Sequence, residues 1–217
     1  MRTHEVTARD STAGRLADYS SVFVIEDDES VRESLRYLIL EAGWRAEVFA
    51  SAEQFLQWHR QQVPTCLILD VNLPRLGGLE LQKRLTVDGD TSQIVFISGY
   101  GDVRTSVRAM KAGAVEFLTK PLSNDALIDA VNEALARSRA ILERELESRE
   151  LRQLYATLTA RERQVLAQVV KGRLNKQIGF TLGISEITVK AHRGRVMRKM
   201  RASSLVDLVR KSARLPL

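Results

Sequence analysis

The sequence has a single cysteine, Cys66, which excludes an internal disulfide and any zinc site built from several thiolates. Aromatic residues make up only 6% of the chain, and residues 158–217 hold just one, Phe180. That stretch therefore lacks the stacking platform with which proteins grip single-stranded RNA. No run approaches the roughly 18 uninterrupted apolar residues that a membrane helix needs, and residues 1–20 lack the apolar centre of a signal peptide. The expectation is a soluble, cytoplasmic chain with no membrane partner. Neither glycine nor proline occurs from Asn124 to Leu158, so nothing in that interval breaks a helix.

What is present is enough to fold. With 44% hydrophobic and 28% charged residues over 217 positions, the chain has room for two ordinary domains. The net charge of +6 conceals a division. Residues 1–153 carry 19 basic and 24 acidic side chains, a balance of −5, whereas residues 154–217 carry 14 and 3, a balance of +11. An acidic body with a small basic partner points to a polyanion as the ligand of the latter.

Residues 1–19 are polar and without period, and read as a flexible extension. From Ser21, short apolar runs alternate with amphipathic stretches. Strands are predicted near Val22–Ile25, Ala46–Phe49, Cys66–Leu69, Ile94–Ile97 and Val115–Leu118, with helices beginning near Ser30, Ala52, Gly78, Val103 and Asn124. Strands one, three and four are almost wholly apolar, as strands covered on both faces must be. The fold class is α/β: a flavodoxin-like (βα)5 doubly wound parallel sheet over residues 20–123, whose crevice belongs at the carboxyl ends of its strands.

The fifth helix continues without a break, and residues 124–157 are read as an extended helix and solvated linker. A heptad seam through Ile128, Val131, Leu135, Ser138, Leu142 and Glu145 fails at its polar members. Residues 158–217 then read as an all-α four-helix module. Thr159-Ala-Arg-Glu162 forms a capping box, Asn175 and Ser185 are predicted to cap the next two helices, and Ser203 or Ser204 opens the last. A short helix, a turn at Gly183 and a longer helix make a helix-turn-helix pattern.

Chemistry enters at the strand ends. Glu26 and Asp27 follow strand one and Asp70 follows strand three, so a parallel sheet gathers three carboxylates on one edge. Their repulsion calls for a cation, and hard oxygen ligands in this number suit Mg²⁺. Ser98 after strand four offers a hydroxyl and Lys120 after strand five an ammonium. The set suits phosphoryl transfer onto Asp70, with Lys120 and the metal neutralising oxygen charge and Ser98 donating a hydrogen bond.

The segments Val24-Ile-Glu-Asp-Asp28, Leu69-Asp-Val-Asn-Leu-Pro74, Phe96-Ile-Ser-Gly99 and Phe117-Leu-Thr-Lys-Pro121 resemble the receiver domain of two-component response regulators, a likeness that spans residues 20 to about 137. The resemblance implies phosphorylation of Asp70 by a sensor histidine kinase. It also implies a metal held by Asp27, Asp70 and the Asn72 carbonyl, with Glu26 acting through water, and a cis Lys120-Pro121 bond. Ser98 and Phe117 resemble the family's switch pair. Glu26 stands where the family more often has aspartate.

In the third helix of the basic module, Val189, Val196 and Met200 recur on one side together with His192, which reads as a packed structural residue. Ile187, Lys190, Ala191, Gly194, Arg195 and Arg198 lie opposite or on the flanks, a surface that fits the B-DNA major groove. Lys190 and Arg195 suit a base edge or a phosphate, and Ala191 and Gly194 allow close approach. Arg173, Lys176, Arg193, Arg198 and Lys199 suit phosphates, and Thr188 lies in the matching segment. The stretches Leu158-Thr-Ala-Arg-Glu-Arg-Gln-Val-Leu166, Asn175-Lys-Gln-Ile178 and Thr188-Val-Lys-Ala-His192 resemble the LuxR-type DNA-binding domain of the NarL and FixJ class. In that class the last helix pairs subunits.

Together the two resemblances imply a transcription factor, not an enzyme. Phosphorylation would control homodimerisation and the binding of double-stranded promoter DNA, with RNA polymerase as a further partner. A phosphotransferring hydrolase is disfavoured because Asn72 stands where such enzymes commonly place an acid/base aspartate, and no cap insertion encloses a substrate. Gly179, inside a short helix, reads as a weakness in helix propensity.

Overall fold

The computed structural model describes residues 20–59, 62–99 and 103–215; the extension expected over residues 1–19 lies outside them. The chain folds as two compact units, which divide between Glu143 and Arg144.

The first unit holds five parallel strands, β1 (Ser21–Ile25), β2 (Arg45–Phe49), β3 (Thr65–Asp70), β4 (Gln93–Ser98) and β5 (Glu116–Thr119), in the order β2-β1-β3-β4-β5. This is the predicted doubly wound sheet, with each boundary within one residue of its expected place. Alternation along the strands builds two cores. Val22, Val24, Cys66, Ile68, Val95 and Ile97 point to one face, covered by α1 (Glu29–Glu41) through Leu35 and Ile39 and by α5 (Asn124–Ala156) through Leu127, Val131 and Leu135. Phe23, Ile25, Leu67, Leu69, Ile94 and Phe96 point to the other, covered by α2 (Ala52–Gln57), α3 (Gly78–Val87) and α4 (Val103–Lys111). Cys66 is buried in the first core, where desolvation pushes its thiol pKa far up and leaves it inert. The edge strand β5 is the least buried.

Ser138, one of the polar residues at which the heptad reading fails, is buried and useful: its hydroxyl accepts the Thr65 amide at 2.9 Å, satisfying the first residue of β3. The solvated linker expected up to residue 157 is also corrected. Leu151, Leu154, Tyr155 and Leu158, spaced i, i+3, i+4 and i+7, form an apolar stripe that joins the core of the second unit. The end of α5 is therefore part of that unit.

The second unit continues with α6 (Ala160–Val170), α7 (Asn175–Leu182), α8 (Glu186–Lys199) and α9 (Leu205–Ser212) around Val165, Leu166, Ile178, Val189, Val196 and Leu208. Ser185 accepts the Thr188 amide and Ser204 the Asp207 amide, as caps should. Asn175 does not cap α7. Leu174 occupies that position, its amide bound by Gln177 at 2.9 Å, while the Asn175 side chain accepts from Arg193 at 2.6 Å. Gly179 is explained as well. A Cβ there would sit 2.7 Å from the Ile184 carbonyl oxygen, so the close approach of turn to helix requires glycine despite its poor propensity. Gly183, at φ +65°, makes the turn itself.

The capping box at the start of α6 is complete: Thr159 Oγ1 accepts the Glu162 amide at 3.3 Å and Glu162 Oε2 accepts the Thr159 amide at 2.9 Å. Glu162 is only 2% exposed and also takes Lys199 Nζ at 2.7 Å. The Lys199 ammonium, then the Thr159 amide, hold its carboxyl well below the ordinary 4.5, at about 2. Because the folded value lies below the unfolded one, the stabilisation is fully present above pH 4.5 and is lost as pH falls toward 2. Thermal melting of Glu162→Gln should thus show a lower midpoint than the wild type at pH 7, with the two converging through this acid window. A gap that stays constant with pH would contradict this account.

Candidate phosphoacceptor pocket and nucleic-acid face

The register of the sheet brings the predicted site together. Asp70 ends β3 opposite Ile97, and Ser98 ends β4 opposite Thr119, so the residues just beyond β1, β3, β4 and β5 converge on one edge. Single carboxylate oxygens of Glu26, Asp27 and Asp70 lie within 4.8 Å of one another. Glu26 is 1% and Asp70 5% exposed, whereas Asp27 faces solvent. Lys120 crosses between the two buried acids: its Nζ is 2.6 Å from Glu26 Oε2 and 3.0 Å from Asp70 Oδ2. The other Asp70 oxygen accepts the Asn72 amide at 3.1 Å.

Electrostatics explain this bridge. Burial pushes the Glu26 carboxyl pKa up and the Asp70 charge pushes the same way, against the opposing hydrogen bond from Lys120. Burial alone would lower the pKa of Lys120, but its hydrogen bonds to Glu26 and Asp70 outweigh that and raise it. The ammonium therefore stays charged between the two acids. Ser98 is buried beside it, and its carbonyl accepts the Lys120 amide at 2.8 Å. The Lys120-Pro121 peptide is cis. Phe117 is half-buried, its ring 6.3 Å from that of Phe96.

The donor set fits a hard divalent cation. Three carboxylate oxygens converge, one of them open to water, as suits an ion that retains part of its hydration shell. A residue that sequence alone does not single out is Arg32, which donates from one Nη to the Glu26 carbonyl at 2.8 Å and the Asp27 carbonyl at 3.1 Å.

On the second unit, Lys190, Ala191, Gly194, Arg195 and Arg198 of α8 are exposed, and Gly194 has open space where a side chain would stand. Lys190 lies 3.6 Å from Glu186 one turn earlier, a weak surface pair. Lys176 is exposed at the start of α7. Thr188 is half-buried, its hydroxyl 2.8 Å from that of Ser185. Two expected phosphate contacts are engaged elsewhere. Arg193 is half-buried and bonded to Asn175, and Lys199 is tied to Glu162 and to the Thr157 carbonyl at 3.1 Å. Lys199 is thus a partly exposed cation already engaged by two acceptors, not the free surface charge that was expected. Ile187, expected on this face from helical period, is 80% exposed, and Phe180, 92% exposed, is an apolar addition to the surface that residue type alone would have placed in the core.

Residues 22–132 match the family described as the response regulator receiver domain, and residues 156–212 match the LuxR family of bacterial regulatory proteins. The chain is a response regulator. Nodulation protein W of Bradyrhizobium diazoefficiens is 47% identical over 191 residues, 88% of this chain and 84% of that protein. Transcriptional regulatory protein FixJ of Azorhizobium caulinodans is 42% identical over 189 residues, 87% of this chain and 90% of its own length. The solved structure of response regulator StyR is 44% identical with a TM-score of 0.83, covering 91% of this chain and 100% of that one. The response regulator is thus a DNA-binding transcription regulator of the two-component class, with the expected fold in both units. Among the described residues, no helix is long and apolar enough to cross a membrane.

Proposed function

We propose that Asp70 accepts a phosphoryl group from the phosphohistidine of a sensor kinase, and that this mark controls pairing of the second unit on promoter DNA. The observation that carries the proposal is the ammonium of Lys120 held 3.0 Å from Asp70 Oδ2 inside a cluster of acids. Asp70 Oδ attacks phosphorus, the bond to the kinase imidazole breaks with its electron pair going to nitrogen, and that nitrogen takes a proton from solvent so that the histidine leaves neutral. Lys120 neutralises developing charge on the transferring oxygens, and Ser98 donates to one of them.

Asp27, Asp70 and the Asn72 carbonyl would hold Mg²⁺, with Glu26 contributing through water. When bound, the ion supplies charge neutralisation for the incoming phosphoryl oxygens. In this reading Ser98 and Phe117 form the switch: the hydroxyl turns toward the phosphoryl group and the aromatic ring follows inward. Residues 20–123 act as the receiver and the basic module from residue 158 as the output domain. The end of α5 supports that output domain through the apolar stripe described above.

The DNA face is Lys190, Ala191, Gly194 and Arg195, with Lys176, Thr188, Arg193 and Arg198 along its margins. Its exposure on one side of α8, opposite the buried Val189 and Val196, supports entry into the major groove. RNA polymerase is the expected partner of the DNA-bound form, and the cytoplasm the expected compartment. Beryllofluoride with Mg²⁺, which stands in for the phosphoryl group, should raise the mass in sedimentation velocity from one chain to two. An unchanged mass would remove dimerisation as the control.

A further inference from the structure

We infer that Arg32 is a positioning residue for cation binding, fixing the backbone that presents Asp27. This rests on the pocket reading above and concerns a residue outside the carboxylate cluster. Arg32 lies one turn into α1, and its guanidinium reaches back so that a single Nη donates to the Glu26 carbonyl at 2.8 Å and the Asp27 carbonyl at 3.1 Å. The same short segment is tied from the helix side. Asp28 Oδ1 accepts the Val31 amide at 3.0 Å, the Asp28 carbonyl accepts the Arg32 amide at 2.9 Å, and the Asp28 amide reaches Glu26 Oε1 at 3.3 Å.

Asp27 is therefore the one acid of the cluster whose side chain faces solvent while the backbone on both sides is fixed. Glu26 is held by Lys120 and Asp70 by Lys120 and the Asn72 amide, but the Asp27 carboxylate has no such partner among the described hydrogen bonds. Its aim is set by its backbone, and Arg32 is the side chain that grips that backbone. The two consecutive carbonyls would otherwise be free to turn toward water, carrying the carboxylate with them.

Arg32 also brings a positive charge near the acids, and charge and positioning predict opposite results. A cation close to the pocket weakens Mg²⁺ binding by repulsion, so if charge were its effect, removing it would tighten binding. If the donors orient Asp27, removing them weakens binding, as loss of an outer support to a ligand does, by about tenfold.

The experiment is isothermal titration of MgCl₂ into the full chain for wild type, Arg32→Met and Arg32→Lys, with thermal melting of each to establish folding. Arg32→Met keeps the aliphatic stem and loses every donor; its Kd should rise by about tenfold. Arg32→Lys keeps an ammonium able to reach a carbonyl and should recover most of the loss. At saturating MgCl₂, the labelling rate of Arg32→Met with acetyl phosphate should return to near the wild-type value, separating ion capture from phosphoryl transfer. An unchanged or lower Kd for a folded Arg32→Met would overturn the inference. Absence of Mg²⁺ binding by the wild type would instead overturn the pocket reading.

Discussion

Asp70→Asn should reduce labelling by acetyl phosphate and Mg²⁺ to background while leaving the protein folded. The amide keeps the size of the carboxylate and an oxygen for Lys120 Nζ, but it is not a nucleophile at neutral pH. The neighbouring acids cannot take over. Both oxygens of Glu26 are engaged, by Lys120 at 2.6 Å and the Asp28 amide at 3.3 Å, and its side chain is almost fully buried. Asp28 is occupied in capping α1. Glu26 and Asp70 each hold Lys120 on one oxygen and a backbone amide on the other, but Asp70 is the less enclosed of the two, 5% exposed against 1%, and it ends the central strand β3. Mass spectrometry of intact protein reads the result directly. Label retained on Asp70→Asn at the wild-type level would remove Asp70 as the acceptor, whatever the geometry around it.

The second large effect is expected at Gly78, a residue with no functional group. It opens α3 where the helix passes beneath the end of β3, and its amide donates to the Val71 carbonyl at 3.0 Å. A Cβ at this position would lie 2.3 Å from the Asp70 carbonyl oxygen and 3.1 Å from both Asp70 C and Val71 Cα. These are backbone atoms, so no side-chain rotation relieves the clash. Overpacking of this kind costs about 3 kcal/mol at the upper end of the usual range, against which alanine returns at most about 1 kcal/mol of helix propensity. Gly78→Ala should lose about 2 kcal/mol in urea denaturation and should label more slowly, because relief of the clash displaces Asp70. Gly77→Ala is the control. Its Cβ would meet only the Val71 carbonyl oxygen at 3.7 Å, an ordinary contact, so its stability should stay within about 0.5 kcal/mol of wild type. Equal stability of the two variants would refute the packing argument.

These two positions mark how far the sequence can be read. Asp70, Glu26, Asp27, Ser98 and Lys120 are legible because a parallel sheet brings its strand ends together, so strand prediction alone locates them. The strands in turn are legible because burial on both faces leaves an uninterrupted apolar run, as in β3, where all six residues are buried. Gly78 can be placed at a helix start but not under Asp70, since that contact depends on the path of the chain between them. Arg32 is hidden for a similar reason: a helical arginine reads as surface charge, and only three-dimensional direction shows it turned back onto Glu26 and Asp27.

The basic module shows the same boundary. The Thr159–Glu162 box and the caps at Ser185 and Ser204 are local, and the sequence shows them directly. Lys199, Arg193 and Asn175 escape it because a cation solvated on a surface and one bonded to Glu162 or Asn175 have the same sequence signature. Gly179 looks like a defect because propensity registers its freedom and not the Ile184 carbonyl pressed against it.

The hydrogen bond from the Thr65 amide to Ser138 has a consequence at the opposite end of its strand. Thr65 opens β3 and Asp70 closes it, roughly 17 Å away at about 3.3 Å per residue. A fully extended, fully buried strand has little slack, so a helix side chain that fastens one end sets the depth of the other. Ser138 thereby adds a helix-borne anchor to the two ladders that already hold β3 in place, so the far end of a strand that carries the acidic tip is moored to three neighbours at once.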